Sequence, residues 1–334
     1  MLPYLAVLLA AVCFGTTGTA QAFGPADASS VSIGAARILI GGAVLAAVAL
    51  VLRMRRRATA ETLTTPIAGP RGPGGPGGPR RVPSWLLLLI GALGVLAYQP
   101  AFFLGTSQNG VAVGTVVALG SAPIITGLLD WALHRRFPGA IWLVATLVAT
   151  VGVVLISGLL GSGGAGGGGG SGTGGAGAPI SLPGLLASLG AGASYAVYTL
   201  SSKALLERGW TPSSTMGSVF GLAAVFSIPL LVTTDTSWLS TGPGLAMALW
   251  LGLVTTAVAY LLFGWGLGRL RASTVSTLTL AEPLTATLLG TLVLGEVLSG
   301  VAIAGLVVLA AGLVILAVPW RGKRAGANPV SAAS

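Results

Sequence analysis

Residues 299–319 read SGVAIAGLVVLAAGLVILAVP, an apolar run with no charged side chain. About 20 such residues make a helix long enough to cross the hydrocarbon core of a bilayer. Runs of the same kind recur at about 3–23, 31–52, 84–105, 111–133, 139–157, 181–202, 213–232, 244–265 and 273–294, each near the spanning length. None alternates with period two, which argues against barrel strands. Continuous helices satisfy their own backbone groups where no water can. Composition agrees: of 334 residues, 54% are hydrophobic and 7% charged, with a mean hydropathy of +0.92. A soluble domain carries roughly a quarter charged residues. The expected fold class is an all-α integral membrane protein with ten transmembrane helices.

The formal charge of +10 and a pI near 11.1 would suit a nucleic-acid binder, but the distribution of charge decides against one. The connections after the second, fourth, sixth and eighth runs, with the tail, hold Arg53, Arg55, Arg56, Arg57, Arg71, Arg80, Arg81, Arg135, Arg136, Lys203, Arg208, Arg269, Arg271, Arg321, Lys323 and Arg324. Arg37 is the only other basic residue besides His134. Such one-sidedness is the positive-inside pattern and places both termini in the cytoplasm. No aromatic-interleaved basic motif points to nucleic acid. Ala20-Gln21-Ala22 resembles a signal-peptidase site, yet no Lys or Arg precedes the apolar stretch, so the first run is read as a retained helix. The composition suggests a bacterial inner membrane.

Two segments interrupt the apolar pattern. Residues 65–83, within the loop 53–83, are rich in Pro, Gly and Arg and are expected to be disordered. Residues 161–177 hold 12 glycines without a following Gly-Lys-Ser/Thr, so a flexible linker over 159–179 is expected rather than a phosphate loop. That linker divides the chain into five-helix repeats at 1–158 and 180–319, followed by a tail at 320–334. Pro123 and Gly152 stand 29 residues apart, and so do Pro283 and Gly312. Ala122-Pro123-Ile124-Ile125-Thr126-Gly127-Leu128-Leu129 aligns with Glu282-Pro283-Leu284-Thr285-Ala286-Thr287-Leu288-Leu289. An odd number of spans per copy inverts the second copy, and inverted repeats are typical of secondary transporters.

These residues resemble the EamA-type transporters of the drug/metabolite transporter superfamily, over about residues 3–319. The resemblance is carried by Leu280-Ala281-Glu282-Pro283-Leu284-Thr285-Ala286, Leu294-Gly295-Glu296-Val297-Leu298, Phe14-Gly15 and Ala35-Ala36-Arg37-Ile38-Leu39. It implies two five-helix repeats and export or exchange of small metabolites such as amino acids. The first half departs from the pattern: Ala122 stands where Glu282 does, and Arg136 where Glu296 does. A matched pair of acidic sites is therefore absent. Efflux of drugs or lipophilic cations is the alternative within transport, and an intramembrane enzyme or lipid-handling protein is the remote one.

A charge at mid-membrane costs roughly 2.5–3.5 kcal/mol on insertion scales and rarely persists without a role or partner. Glu282 lies about ten residues into its span, beside Pro283, which disturbs the preceding turn. It is read as a proton- or substrate-binding carboxylate, or else as a structural one capped by Thr279 or paired with Arg37. Arg37 is placed to bind a substrate carboxylate, to snorkel outward or to pair with a helix. Pro123 is a kink or a pathway residue. Thr16, Tyr98, Gln99, Tyr195 and Thr255, with Thr17, Tyr198 and Thr256, fit either a ligand wall or interhelical packing. Trp85, Trp131, Trp142, Trp265 and Trp320 read as interfacial belt residues. His134 reads as a solvated loop residue, Asp130 as a partner of Arg135 or Arg136, and Glu296 as solvated. With one cysteine, Cys13, and no Cys/His cluster, no metal or cofactor is expected. The expected partners are the lipid bilayer and a small-molecule substrate, with protons as one candidate for coupling.

Overall fold

Hydrocarbon offers a helix no hydrophobic reward for leaving it, so spans associate by close packing and small residues let backbones approach. The computed structural model describes residues 1–63, 82–157 and 181–318. The expectations for residues 64–81, the linker 159–179 and the tail 320–334, Trp320 included, lie outside the described residues. Among those residues the regular structure is helical, without strands. The helices are α1 (Leu2–Ala22), α2 (Ser30–Leu63), α3 (Ser84–Gly110), α4 (Ala112–His134), α5 (Ala140–Ile156), α6 (Leu182–Glu207), α7 (Pro212–Val232), α8 (Gly242–Leu267), α9 (Ala272–Leu294) and α10 (Gly300–Ala317).

Eight of these are long and apolar enough to cross a membrane. α5 is shorter, at 17 residues. The 26-residue α6 falls outside the set, its apolar residues being interrupted by serine, threonine and glycine. The expectation of ten spanning helices is thus met for eight among the described residues.

Local chemistry explains the boundaries. The hydroxyls of Ser181, Thr211, Thr241 and Ser299 each accept a hydrogen bond from the amide three residues on, at 3.1–3.4 Å. This satisfies donors that a helix start leaves unpaired. α3 turns into α4 at Gly110, whose φ of 78° and ψ of 157° suit glycine. The chain doubles back so tightly there that a Cβ on Gly114 would lie 2.7 Å from the Thr106 Cα. α4 and α9 both stop on a left-handed residue, Arg135 (φ 54°) and Gly295 (φ 71°). Each stands twelve residues after the proline of its own helix, Pro123 or Pro283.

Packing is reciprocal between the two parts of the chain. α1 packs on α8 and α9, while α6 packs on the continuous α3–α4 unit. α2 faces α7, and α5 faces α10. Glycines sit at these crossings. A Cβ on Gly152 would lie 2.7 Å from the Leu309 Cα, and one on Gly312 would lie 2.7 Å from the Ala149 amide nitrogen. Ala149 stands three residues before Gly152 just as Leu309 stands three before Gly312. Gly217 of α7 likewise meets Leu45 of α2, with 2.6 Å from a Cβ to the Leu45 carbonyl oxygen. Gly312→Ala is expected to lower the thermal midpoint of the detergent-purified protein, an overpacking cost of roughly 1–3 kcal/mol. Gly190→Ala, where a Cβ meets nothing within 4 Å, is expected to leave that midpoint unchanged or slightly raised.

Candidate functional site

α9 is interrupted in its middle. Its helical hydrogen bonding stops at Leu278 and resumes at Ala281. Pro283 has no amide hydrogen, so it cannot bond the Thr279 carbonyl as an ordinary helical residue would. The Glu282 amide takes that carbonyl instead, at 2.9 Å, and the Leu280 amide takes Thr277 at 3.1 Å. The Thr279 hydroxyl donates to the Ser276 carbonyl at 2.8 Å and shares a 2.9 Å hydrogen bond with the Tyr195 hydroxyl. The turn is therefore tightened and its backbone satisfied, while Glu282 projects from the end of the break. α1 supports this turn: a Cβ on Gly15 would lie 2.8 Å from the Glu282 carbonyl oxygen and 2.6 Å from the Thr285 Cβ.

The Glu282 side chain is partly exposed. Among the described residues its carboxylate has no hydrogen-bond or ion-pair partner; Thr279 is engaged elsewhere and Arg37 does not reach it. Arg37 instead docks on α8. Its Nε donates to the Thr256 hydroxyl and one Nη to the Thr255 carbonyl, both at 3.1 Å. That stretch, Leu253–Val258, is a π-turn, a widening of the helix often found at functional positions. Arg37 and Glu282 nonetheless stand within electrostatic range of each other, and of Tyr98 and Tyr260.

Aromatic rings surround this centre. Tyr260 packs 5.0 Å from Phe14 and 4.0 Å from Phe220, between ring centroids, and its hydroxyl lies 3.3 Å from that of Tyr198. Tyr98 and Tyr260 are partly exposed, whereas Tyr195 and Tyr198 are buried behind them. Tyr195 thus holds the α9 break through Thr279 rather than facing the opening. Gln99 leans on the backbone of Gly34. Pro123 is buried in α4, at the turn against which Gly192 of α6 packs. Thr16 belongs to a separate cleft of about 530 Å³, lined with Phe23, Met247, Trp250 and Leu289. There it accepts from the Trp250 indole at 3.0 Å and donates to the Cys13 carbonyl at 2.7 Å. Of the residues singled out in the sequence, Glu282, Arg37, Tyr98 and Thr255 come together. Tyr260 and Thr256 complete the group; Tyr260 was overlooked, its sole mark being a tyrosine in a span centre.

Three boundary residues differ from the sequence expectation. Asp130 pairs with His134 at 2.8 Å and not with Arg135 or Arg136. His134 is solvent-exposed as expected but ends α4 rather than standing in a loop, and it lies 3.5 Å from Glu207 of α6. Trp142 is buried, not interfacial, and its indole donates to the Ser273 carbonyl at 3.1 Å and to the Thr277 hydroxyl at 3.0 Å. Trp85 and Trp131 are exposed as belt residues should be. In the α7–α8 connection, the backbone amide and hydroxyl of Ser237 donate to the Asp235 carboxylate and hold it below the usual carboxylate range. Trp142→Phe removes the indole donor and part of a buried ring, so thermal unfolding in detergent is expected to show a loss of about 2–4 kcal/mol from the lost hydrogen bond and the cavity together.

Comparison with known proteins agrees with this architecture. A model described as the EamA-like transporter family matches residues 1–158 and 182–318. Over 328 residues the chain is 38% identical to the uncharacterized transporter YwfM of Bacillus subtilis (strain 168), covering 98% of each chain. A solved crystal structure shares the fold with a TM-score of 0.69 at 19% identity, covering 94% of this chain and 96% of the other. With the family model matched in both parts and a relative aligned nearly end to end, the chain belongs to the EamA-like transporter family.

Proposed function

We propose that this EamA-type transporter is a secondary active exporter of small metabolites such as amino acids, working by alternating access across the cytoplasmic membrane. The observation that carries this reading is the Glu282 carboxylate, which projects from a broken helix in a span centre without a hydrogen-bond or ion-pair partner among the described residues. A charge at mid-membrane is costly unless it has a role. Arg37 supplies the opposite charge from α2, so a solute bearing both an ammonium and a carboxylate suits the pair. Glu282 is also the group that would take up a proton if export is coupled to proton entry.

The architecture proposed with it has ten spans in two inverted five-helix halves and both termini in the cytoplasm. The reciprocal packing of α1 on α8–α9 and of α6 on α3–α4 supports it, as do the matched α5–α10 glycines. A two-fold relation makes contacts self-complementary in this way. Efflux of lipophilic cations is the second reading, favoured by the aromatic rings of Tyr98, Tyr260 and Phe14 near Glu282.

The test compares metabolites in medium and cytosol, by mass spectrometry, for cells carrying wild type, Glu282→Gln or empty vector. Wild type is expected to enrich an amino acid outside. Glu282→Gln should cut that enrichment roughly tenfold to a hundredfold, as losing a charge-assisted hydrogen bond implies. Unchanged metabolites together with raised tolerance to lipophilic cations would favour the second reading. For orientation, in a Cys13→Ser background, Ser240→Cys is expected to react with an impermeant maleimide applied to intact cells, and Phe137→Cys only after permeabilisation.

A further inference from the structure

The π-turn in α8 does more than widen the helix. The hydroxyls of Thr255 and Thr256 both donate to the Leu251 carbonyl, at 2.8 and 2.9 Å. With its hydrogen committed there, Thr256 Oγ1 presents a lone pair to Arg37 Nε, and the Thr255 carbonyl takes the neighbouring Nη. One edge of the guanidinium is thereby occupied by α8. The other Nη has no partner among the described residues and stays within electrostatic range of Glu282.

This arrangement answers a physical problem. Opposite charges attract strongly where little water lies between them. An Arg37 free to rotate would fold onto Glu282 and close the space between them. The two hydrogen bonds to α8 keep the guanidinium away from the carboxylate. The close approach of α2 and α8 at Gly41, where a Cβ would strike the Thr256 side chain, fixes Thr256 in turn.

We propose that Thr256 is a positioning residue for solute recognition. It holds the free edge of Arg37 toward the carboxylate of a zwitterionic solute whose ammonium group lies at Glu282. This rests on the reading of Arg37 and Glu282 as the solute-binding pair. Thr256→Val keeps the side-chain shape and removes the hydrogen-bonding oxygen, so Arg37 loses its Nε partner and swings to Glu282. Thr256→Ser keeps the oxygen.

The experiment uses the purified full chain in proteoliposomes loaded with an equimolar mixture of the twenty L-amino acids, or with the corresponding decarboxylated amines, and follows efflux of each compound. For the amino acids moved, Thr256→Val is expected to raise KM about tenfold with little change in kcat, and to shrink the preference for amino acid over amine. Thr256→Ser should restore both. Matched thermal midpoints establish that the variants are folded; if Thr256→Val is not, Thr256→Ala is compared with Thr256→Ser on the same readouts. Unchanged KM and preference in the oxygen-less variant, with the preference lost in Arg37→Gln, would overturn the role of Thr256 and leave that of Arg37 standing. A preference that survives Arg37→Gln, or no efflux of any amino acid by wild type, would overturn both.

Discussion

Glycine at the helix crossings is the constraint from which the rest of this bundle follows. Where Gly152 meets Leu309 and Gly312 meets Ala149, the backbones approach to distances at which a Cβ has no room. In hydrocarbon, such contact replaces the hydrophobic effect as the source of cohesion. The same device brings Gly15 against the carbonyl of Glu282 and Gly41 against Thr256. Spacing between helices and spacing within the polar centre are therefore set together. An added methyl group at any of these crossings moves both.

Much of this was legible in the sequence. Span limits from hydropathy agree with the helices to about five residues, because the bilayer leaves few alternatives to a helix of fixed length. The exception is α2, which runs on to Leu63 through the start of the expected 53–83 loop, since a charged stretch can stay helical outside the apolar core. The Pro123–Gly152 and Pro283–Gly312 spacing marks the positions where glycines meet across α5 and α10. The family resemblance agrees with the matched model. Eight helices, rather than ten, qualify as spans among the described residues, since α6 spends its length on Ser, Thr and Gly that pack against α3 and α4.

Side-chain partners were less legible, since hydropathy does not encode them. Trp142 looks interfacial by its place near a span end, but the indole finds Ser273 and Thr277 across α9 and turns inward. Arg37 offered three readings, and its choice of the Thr255 carbonyl depends on a π-turn that no residue pattern announces. Tyr195 fits either a ligand wall or interhelical packing by its sequence, and its hydrogen bond to Thr279 at the α9 break is of the second kind. Tyr260 carried no motif, yet its ring is central to the aromatic group that joins α1, α7 and α8.

Arg37 and Glu282 also bear on how the protein meets the membrane potential. Moving one elementary charge through the full field is worth about 2.3 kcal/mol per 100 mV. With Glu282 ionised, the two fixed charges of the centre cancel, and a zwitterion placed between them adds nothing to the sum. Under the proposed function, a shift of such a loaded centre across the bilayer would be electrically silent, neither pulled nor resisted by the voltage. Were Glu282 to take up a proton, Arg37 would leave one uncompensated positive charge, and the same shift would respond to the field.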